Sequence, residues 1–281
     1  MSRIAARFAE LRKANRAAFV PFITAGDPDP DTTFAILERL PKAGADLIEL
    51  GVPFSDPMAD GPAIQASSLR ALRAGMTLSK TLDLVQRFRR KNATTPIVLM
   101  GYYNPIHRYG TARFARDAAA AGVDGLISVD LPPEEDEVLR VPAAAQGLDV
   151  VRLATPTTDA KRLPVILDGA SGFLYYVSIA GVTGTKTFSV TAVREAVAKV
   201  KAHAQIPCVV GFGIKTPEQA AEIARFADGA VVGSAIVALM AEAAQSGPAK
   251  ASLVESVVNF CASLADSVHA ARREPVIELT P

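Results

Sequence analysis

Short apolar runs alternate with amphipathic stretches along almost the whole chain. The runs are rich in Val, Ile or Leu and lack strict polar alternation, which is typical of parallel strands buried on both faces. Eight of them predict strands, at Phe19–Ile23, Asp46–Leu50, Ile97–Gly101, Gly125–Val129, Val150–Leu153, Phe173–Val177, Cys208–Phe212 and Gly229–Val232. The stretches between them predict helices, among them Asp31–Lys42, Thr77–Lys91, Ala112–Ala121, Val190–His203 and Pro217–Phe226.

Eight βα units with right-handed crossovers close into a barrel. The alternative, an open doubly wound sheet, needs an edge strand with polar alternation, and the sequence contains none. Ile4, Phe8 and Leu11 fall at helical spacing and favour a docked N-terminal helix over a targeting peptide. We therefore expect a single-domain (β/α)8 TIM barrel over residues 1–272. It has an extra N-terminal helix, an extra helix after the eighth strand, and a C-terminal tail over residues 273–281.

Composition narrows the class of partner. The 281 residues are 49% hydrophobic and 21% charged, with a net charge of +1 and no basic stripe, which argues against binding to nucleic acid or to a membrane surface. No apolar run approaches the ~18 residues of a membrane span. Cys208 and Cys261 are expected to be reduced core thiols of a cytoplasmic protein. The three histidines have no spacing that would make a metal site.

The working residues of such barrels lie where strands end and βα loops begin. Glu49 closes the second predicted strand, and its side chain should face the barrel interior, where burial raises the pKa of a carboxyl group. A structural ion pair is the alternative role for it. Asp60, Asp56 and Ser55 share the following loop, in which an aspartate more often caps a turn than catalyses a reaction. The carboxylates together suit general acid–base chemistry.

Glycine-rich corners follow the last three predicted strands. They are the loop Ser178–Lys186, the turn Gly211–Ile214 and the helix start Gly233–Ala235. Glycine lets backbone N–H groups approach an anion, and a helix N-terminus favours negative charge. Because the loops after strands seven and eight commonly bind phosphate in barrels, these corners predict a phosphorylated substrate.

Large apolar side chains at strand ends predict a pocket for the rest of the substrate. They are Phe22, Tyr102, Ile127, Tyr175 and Phe212, although such residues are often only core. No lysine lies inside a predicted strand, which argues against a Schiff-base aldolase, and no dinucleotide fingerprint precedes the first helix. The chemistry should therefore depend on carboxylates alone.

Several motifs resemble one known family. They are Phe19–Pro28, Glu49–Pro57, Ala59–Pro62, Met100–Pro105, Gly181–Gly184 and Gly211–Ile214, in order and with matching spacing. Over roughly residues 1–270 the chain resembles the tryptophan synthase alpha subunit. The resemblance implies a lyase that cleaves indole-3-glycerol phosphate to indole and glyceraldehyde 3-phosphate. It assigns acid–base catalysis to Glu49 and the indole N–H to Asp60, with no cofactor in this chain.

The resemblance also implies which residues bind the substrate. Backbone amides of Gly184, Gly213, Gly233 and Ser234 should hold the phosphate. The indole should lie against Phe22, Met100, Ile127, Tyr175 and Phe212. Tyr102, Ile64 and Thr183 complete the expected site, with Thr183 contacting Asp60 when its loop closes.

A partner is implied as well. The family works as an α2β2 heterotetramer in which indole passes to a beta subunit that carries pyridoxal phosphate. The loop around Pro53 and Asp56, and the segment Asn104–Pro105, should face that subunit. Two other functions stay open: a chiefly regulatory subunit with feeble chemistry of its own, and a free-standing lyase that releases indole.

Overall fold

The fold is a barrel of parallel strands surrounded by helices, seen in a computed structural model that describes residues 2–178, 190–211, 213–245 and 250–272. The strands are β1 (Ala18–Thr24), β2 (Ile48–Gly51), β3 (Ile97–Gly101), β4 (Gly125–Ser128), β5 (Asp149–Val150), β6 (Arg152–Ala154), β7 (Leu174–Val177), β8 (Cys208–Gly211) and β9 (Gly229–Val232). The strand order in the sheet is β5-β4-β3-β2-β1-β9-β8-β7-β6. Its two end strands, β5 and β6, are consecutive in the chain, so the sheet closes into a barrel. The predicted TIM barrel is confirmed.

Twelve helices occur in the described ranges. They are α1 (Arg3–Lys13), α2 (Pro30–Leu37), α3 (Pro62–Arg73), α4 (Leu78–Arg89), α5 (Tyr103–Tyr109), α6 (Thr111–Ala121), α7 (Glu137–Ala145), α8 (Arg162–Leu167), α9 (Val190–Lys201), α10 (Pro217–Ala224), α11 (Ser234–Gln245) and α12 (Lys250–Ala270). Side chains of Asp29, Thr77 and Thr216 cap α2, α4 and α10 by accepting a backbone N–H of the first turn. The helices after the eighth barrel strand are α11 and α12. The predicted tail over residues 273–281 lies outside the described residues.

One predicted strand differs from the structure. The fifth, expected over Val150–Leu153, is divided at Val151 into β5, which pairs with β4, and β6, which pairs with β7. Beyond Val151 the side chain of Arg152 turns outward and binds the buried carboxylate of Asp136. The pairing with β4 ends at Val151, whose N–H donates to the carbonyl of Leu126.

Alternation along the strands creates two cores. Odd and even positions of each strand face opposite sides, so one set packs under the helices and the other fills the barrel. The inner set includes Val20, Phe22 and Val98. Helix α1 closes the N-terminal end of this interior with Ile4, Phe8 and Leu11, so the predicted docked helix is confirmed. No helix in the described ranges is long and apolar enough to cross a membrane.

Candidate active site

Glu49 lies on β2 with its side chain facing the barrel interior. It follows Leu47, an inner residue, by two positions, and its neighbours Ile48 and Leu50 pack outward. Phe22 of β1 and Val98 of β3 are its partners in register. Glu49 is 1% exposed, and its Oε2 atom makes no hydrogen bond. The structural ion pair considered above as an alternative role is therefore absent at this oxygen.

Asp60 lies in the loop that follows β2, immediately before Gly61 and helix α3. The loop turns where the Asp60 N–H donates to the carbonyl of Pro57, and the amide of Gln65 donates to the carbonyl of Asp60. These bonds hold the backbone and leave the carboxylate available. Asp60 is 8% exposed, and its side chain hydrogen-bonds Tyr102.

Burial raises the pKa of both carboxyl groups, but to different values. Desolvation, with a smaller contribution from the charge of Asp60, raises the pKa of Glu49 to about 8. Desolvation also raises the pKa of Asp60, to about 6, while the hydrogen bond from Tyr102 opposes that rise. Near pH 7 Glu49 therefore holds a proton, and Asp60 is mainly ionised. Two carboxyl groups with separated pKa values can serve as an acid and as a charge stabiliser.

Tyr102, which follows β3, contributes more than an aromatic surface. Its hydroxyl accepts the N–H of Ala59 at 2.9 Å and bonds the carboxylate of Asp60. Its ring lies 5.2 Å from that of Phe54, between centroids. Burial and the charge of Asp60 raise the pKa of Tyr102, so the phenol keeps its proton and can donate it in a hydrogen bond. Tyr102 therefore positions the Asp60 loop.

Five of the other predicted residues lie in the barrel interior or pack against it. Phe22, Met100, Ile127 and Tyr175 are buried in the barrel interior, and Ile64 packs against them from α3. The hydroxyl of Tyr175 lies over Gly211, where an added Cβ would be 2.0 Å from it. Gly211 therefore makes room for the ring.

The predicted phosphate corners are described in part. Gly213 has a φ of +82°, a conformation that suits glycine, and Ser234 is the first residue of α11 after Gly233. A Cβ on Gly233 would lie 3.2 Å from the Cβ of Phe22, so this corner sits beside the apolar pocket. Thr183, Gly184 and Phe212 lie outside the described residues.

Sequence reasoning missed an ion pair that anchors α3. The carboxylate of Asp27, in the loop after β1, accepts two hydrogen bonds from Arg70 and one from Ser67. Both donors belong to α3, the helix that begins just after Asp60. The contact joins the loop after β1 to helix α3. The sequence does not reveal it, because Asp27 lies some forty residues before its partners in the chain.

A cavity of about 340 Å³ opens where β4 and β6 diverge. Val129 and Leu153 line it from the interior, and Asp136 and Arg152 line it from the helix side. Neither Glu49 nor Asp60 borders it. It is therefore separate from the space around the two carboxyl groups.

The fold and these carboxylates define a class: a TIM-barrel protein with two buried acidic side chains at the C-terminal ends of its strands, where enzymes of this fold have their active sites. The family model of the tryptophan synthase alpha chain matches residues 8–269. The chain belongs to this family, and membership makes it a lyase-type enzyme that acts in tryptophan synthesis.

Solved structures agree. The tryptophan synthase subunit alpha of Legionella pneumophila str. Paris shares 40% identity, with a TM-score of 0.88 over 95% of this chain and 98% of that one. A tryptophan synthase alpha chain from Legionella pneumophila subsp. pneumophila is 38% identical over the full length of both chains, with a TM-score of 0.88. A chain of tryptophan synthase from M. tuberculosis, in an aminoacrylate-bound form, is 36% identical, with a TM-score of 0.84 over 95% of this chain and 100% of that one.

Proposed function

We propose that this chain cleaves indole-3-glycerol phosphate to indole and glyceraldehyde 3-phosphate, as the alpha subunit of tryptophan synthase. The observation that carries the proposal is the carboxyl group of Glu49, buried in the barrel with an unpaired oxygen and a pKa raised to about 8. A group that holds its proton at neutral pH in a water-poor interior can protonate carbon. The nearby charge of Asp60 can stabilise the cation that results.

The reaction needs two proton transfers. Glu49 first protonates C3 of the indole, and positive charge develops at the ring nitrogen, where Asp60 accepts the N–H. Glu49, now ionised, then takes the proton of the hydroxyl next to the ring. The bond between C3 and that carbinol carbon breaks, its electrons return to the indole, and the carbinol becomes an aldehyde. Glu49 ends protonated, as it began, and no external oxidant or reductant is consumed.

The surrounding residues support this substrate. The inner apolar side chains Phe22, Met100, Ile127 and Tyr175 suit a flat aromatic ring. Gly213, Gly233 and Ser234, together with Gly184, are the proposed phosphate seat. The Gly233 corner lies beside Phe22, so one substrate with an aromatic ring and a phosphate could occupy both regions.

We also propose that a beta subunit binds the face that carries the Asp60 loop. Ser55, Asp56 and Asn104 are exposed, and Met58 is 77% exposed. From this face Phe54 contacts Tyr102, and Tyr102 contacts Asp60, so a partner that orders the loop would also order the carboxylate. In this scheme indole passes to the partner, which alone carries pyridoxal phosphate.

The test is an assay of indole formation from indole-3-glycerol phosphate, with and without a tryptophan synthase beta subunit. We expect cleavage by the isolated chain and a marked increase when the partner is added. Equal rates in both conditions would indicate a free-standing lyase. Cleavage that is negligible even with the partner would overturn the proposed reaction, whereas activity confined to the complex would indicate a chiefly regulatory subunit when alone.

A further inference from the structure

Two buried oxygens without hydrogen bonds lie on neighbouring strands at the mouth of the barrel. One is Oε2 of Glu49, and the other is Oγ1 of Thr24, the last residue of β1. Thr24 is 1% exposed, so its hydroxyl is shielded from bulk water. Buried polar groups are normally paired, and those that are not often serve a function. The role proposed above for Glu49 explains the first oxygen and leaves the second without a purpose.

Thr24 faces the interior of the barrel. Val20 and Phe22 precede it at intervals of two residues and are both inner residues, whereas Ile23 packs outward. Its partner in register is Gly51, and the ring of Phe22 occupies the space where a Cβ of Gly51 would lie. Thr24 therefore projects into the proposed substrate pocket.

The register places Thr24 one layer nearer the mouth than Glu49. Phe22 pairs with Glu49, and Thr24 pairs with Gly51, which in turn pairs with Met100. Strand spacing and rise put the Cα atoms of Thr24 and Glu49 roughly 8 Å apart. Two side chains that extend from these positions can reach one small group between them.

Packing does not require a hydroxyl here. Valine has almost the same shape as threonine and needs no hydrogen-bond partner in an apolar interior, so an unpaired threonine is the less stable choice. Thr33, which is equally buried, shows the contrast: its hydroxyl accepts the N–H of Gly26 and donates to the carbonyl of Asp27. Among the described residues, by contrast, no group forms a hydrogen bond with the hydroxyl of Thr24.

We propose that Thr24 donates a hydrogen bond to the carbinol oxygen of the substrate, the same oxygen from which Glu49 takes a proton. This proposal rests on the function proposed above. As the proton leaves and the carbon–carbon bond breaks, negative charge develops on that oxygen before it becomes the aldehyde carbonyl. A fixed donor stabilises the charge, and Thr24 keeps its own proton throughout. One substrate hydroxyl would satisfy both unpaired oxygens at once.

The test compares Thr24→Val with Thr24→Ser in the complex with the beta subunit. Thr24→Val should lower kcat by about 10- to 100-fold with little change in KM, because the bond strengthens in the transition state. Thr24→Ser keeps the donor and should stay within about threefold of wild type. The unfolding temperature of Thr24→Val should equal or exceed that of wild type, whereas Thr33→Val, the matched control, should unfold at a lower temperature.

Two results would overturn the role of Thr24. One is a kcat of Thr24→Val equal to that of wild type. The other is a fall in its unfolding temperature like that of Thr33→Val, which would reveal a structural partner for the hydroxyl. A wild-type complex that does not cleave indole-3-glycerol phosphate would instead refute the proposed function, so the two failures can be told apart.

Discussion

Three aspartates at the N-terminal end of the barrel and the carboxyl groups of Glu49 and Asp60 at its C-terminal end have opposite surroundings. At the N-terminal end, three aspartates precede strands β2, β4 and β9, and each accepts a backbone N–H from the start of a neighbouring strand. The pairs are Asp46 with Phe19, Asp124 with Ile97, and Asp228 with Cys208. Each aspartate also binds a basic side chain: Arg16 and His269, Arg3 and Arg89, and Lys201, respectively.

At the C-terminal end Glu49 and Asp60 are buried without such partners, whereas Asp27 and Asp136 at the same end are paired with Arg70 and Arg152. No basic side chain in the described ranges pairs with Glu49 or Asp60, and desolvation is the main cause of the raised pKa of each. A basic partner offsets the cost of burying a carboxylate, whereas burial without such a partner raises the pKa of the carboxyl group and costs stability. The comparison shows that burial alone does not mark a working residue.

The largest effect should come from Glu49→Gln. Losing the proton donor should lower the rate of indole formation by about 10³-fold or more, equivalent to about 4 kcal/mol of transition-state stabilisation. The unfolding temperature should not fall, because glutamine carries no charge to bury. A rate within about tenfold of wild type would refute the role of Glu49.

Asp124→Ala, at the N-terminal end of the barrel, should lower stability and leave the catalytic rate nearly unchanged. It leaves the buried guanidinium of Arg89 and the N–H of Ile97 without their partner and should cost about 3 kcal/mol of unfolding free energy. The rate per folded molecule should hardly change. Asp31→Ala, which breaks an exposed pair with Arg87, is the control and should have little effect on stability. Loss of activity without loss of stability in Asp124→Ala would contradict the division between the two ends.

Stability should depend on pH through Glu49. The pKa is raised from its ordinary value of 4.5 to about 8 on folding, so the folded chain binds a proton that the unfolded chain has lost. Between these values, rising pH should lower the unfolding free energy by about 1 kcal/mol per pH unit from this group. Urea unfolding of wild type and Glu49→Gln at several pH values measures the difference. Parallel curves would show that Glu49 does not titrate in this range.

Tyr102→Phe should have the smallest effect, about tenfold in rate near pH 7. The hydroxyl that holds the Asp60 loop is lost, and the pKa of Asp60 should rise because the hydrogen bond that lowers it is gone. The acid limb of the pH–rate profile should therefore move to higher pH. Tyr109→Phe, whose hydroxyl contacts Asp117 on α6, is the matched control. Identical profiles for the two variants would exclude a role for Tyr102 in tuning Asp60.

The sequence predicted the features that depend on local pattern. The alternation along β2 was enough to predict that the side chain of Glu49 faces the barrel interior, because the residues on either side of it are apolar and pack outward. An Asp recurs just before β2, β4 and β9 in the sequence. The hydrogen bond that it accepts from the preceding strand has no local signal, since the donor lies some twenty to thirty residues earlier.

Contacts between residues that are distant in the chain could not be predicted from the sequence. Arg152 binds Asp136, 16 residues away in the chain, and the hydroxyl of Tyr102 binds the Asp60 loop at Ala59, 43 residues away. Neither contact has a sequence period. Thr24 could have been found from the alternation that continues beyond Phe22, but whether its hydroxyl has a partner is a property of the folded chain.

The most direct test of the central claim is a titration of the Glu49 carboxyl group by ¹³C NMR, with Glu49→Gln used to assign the signal. We expect a carboxyl group that stays protonated through neutral pH and loses its proton near a pKa of about 8. A signal that shows Glu49 fully ionised at pH 6 would contradict it, because a charged and unpaired Glu49 could not be the proton donor.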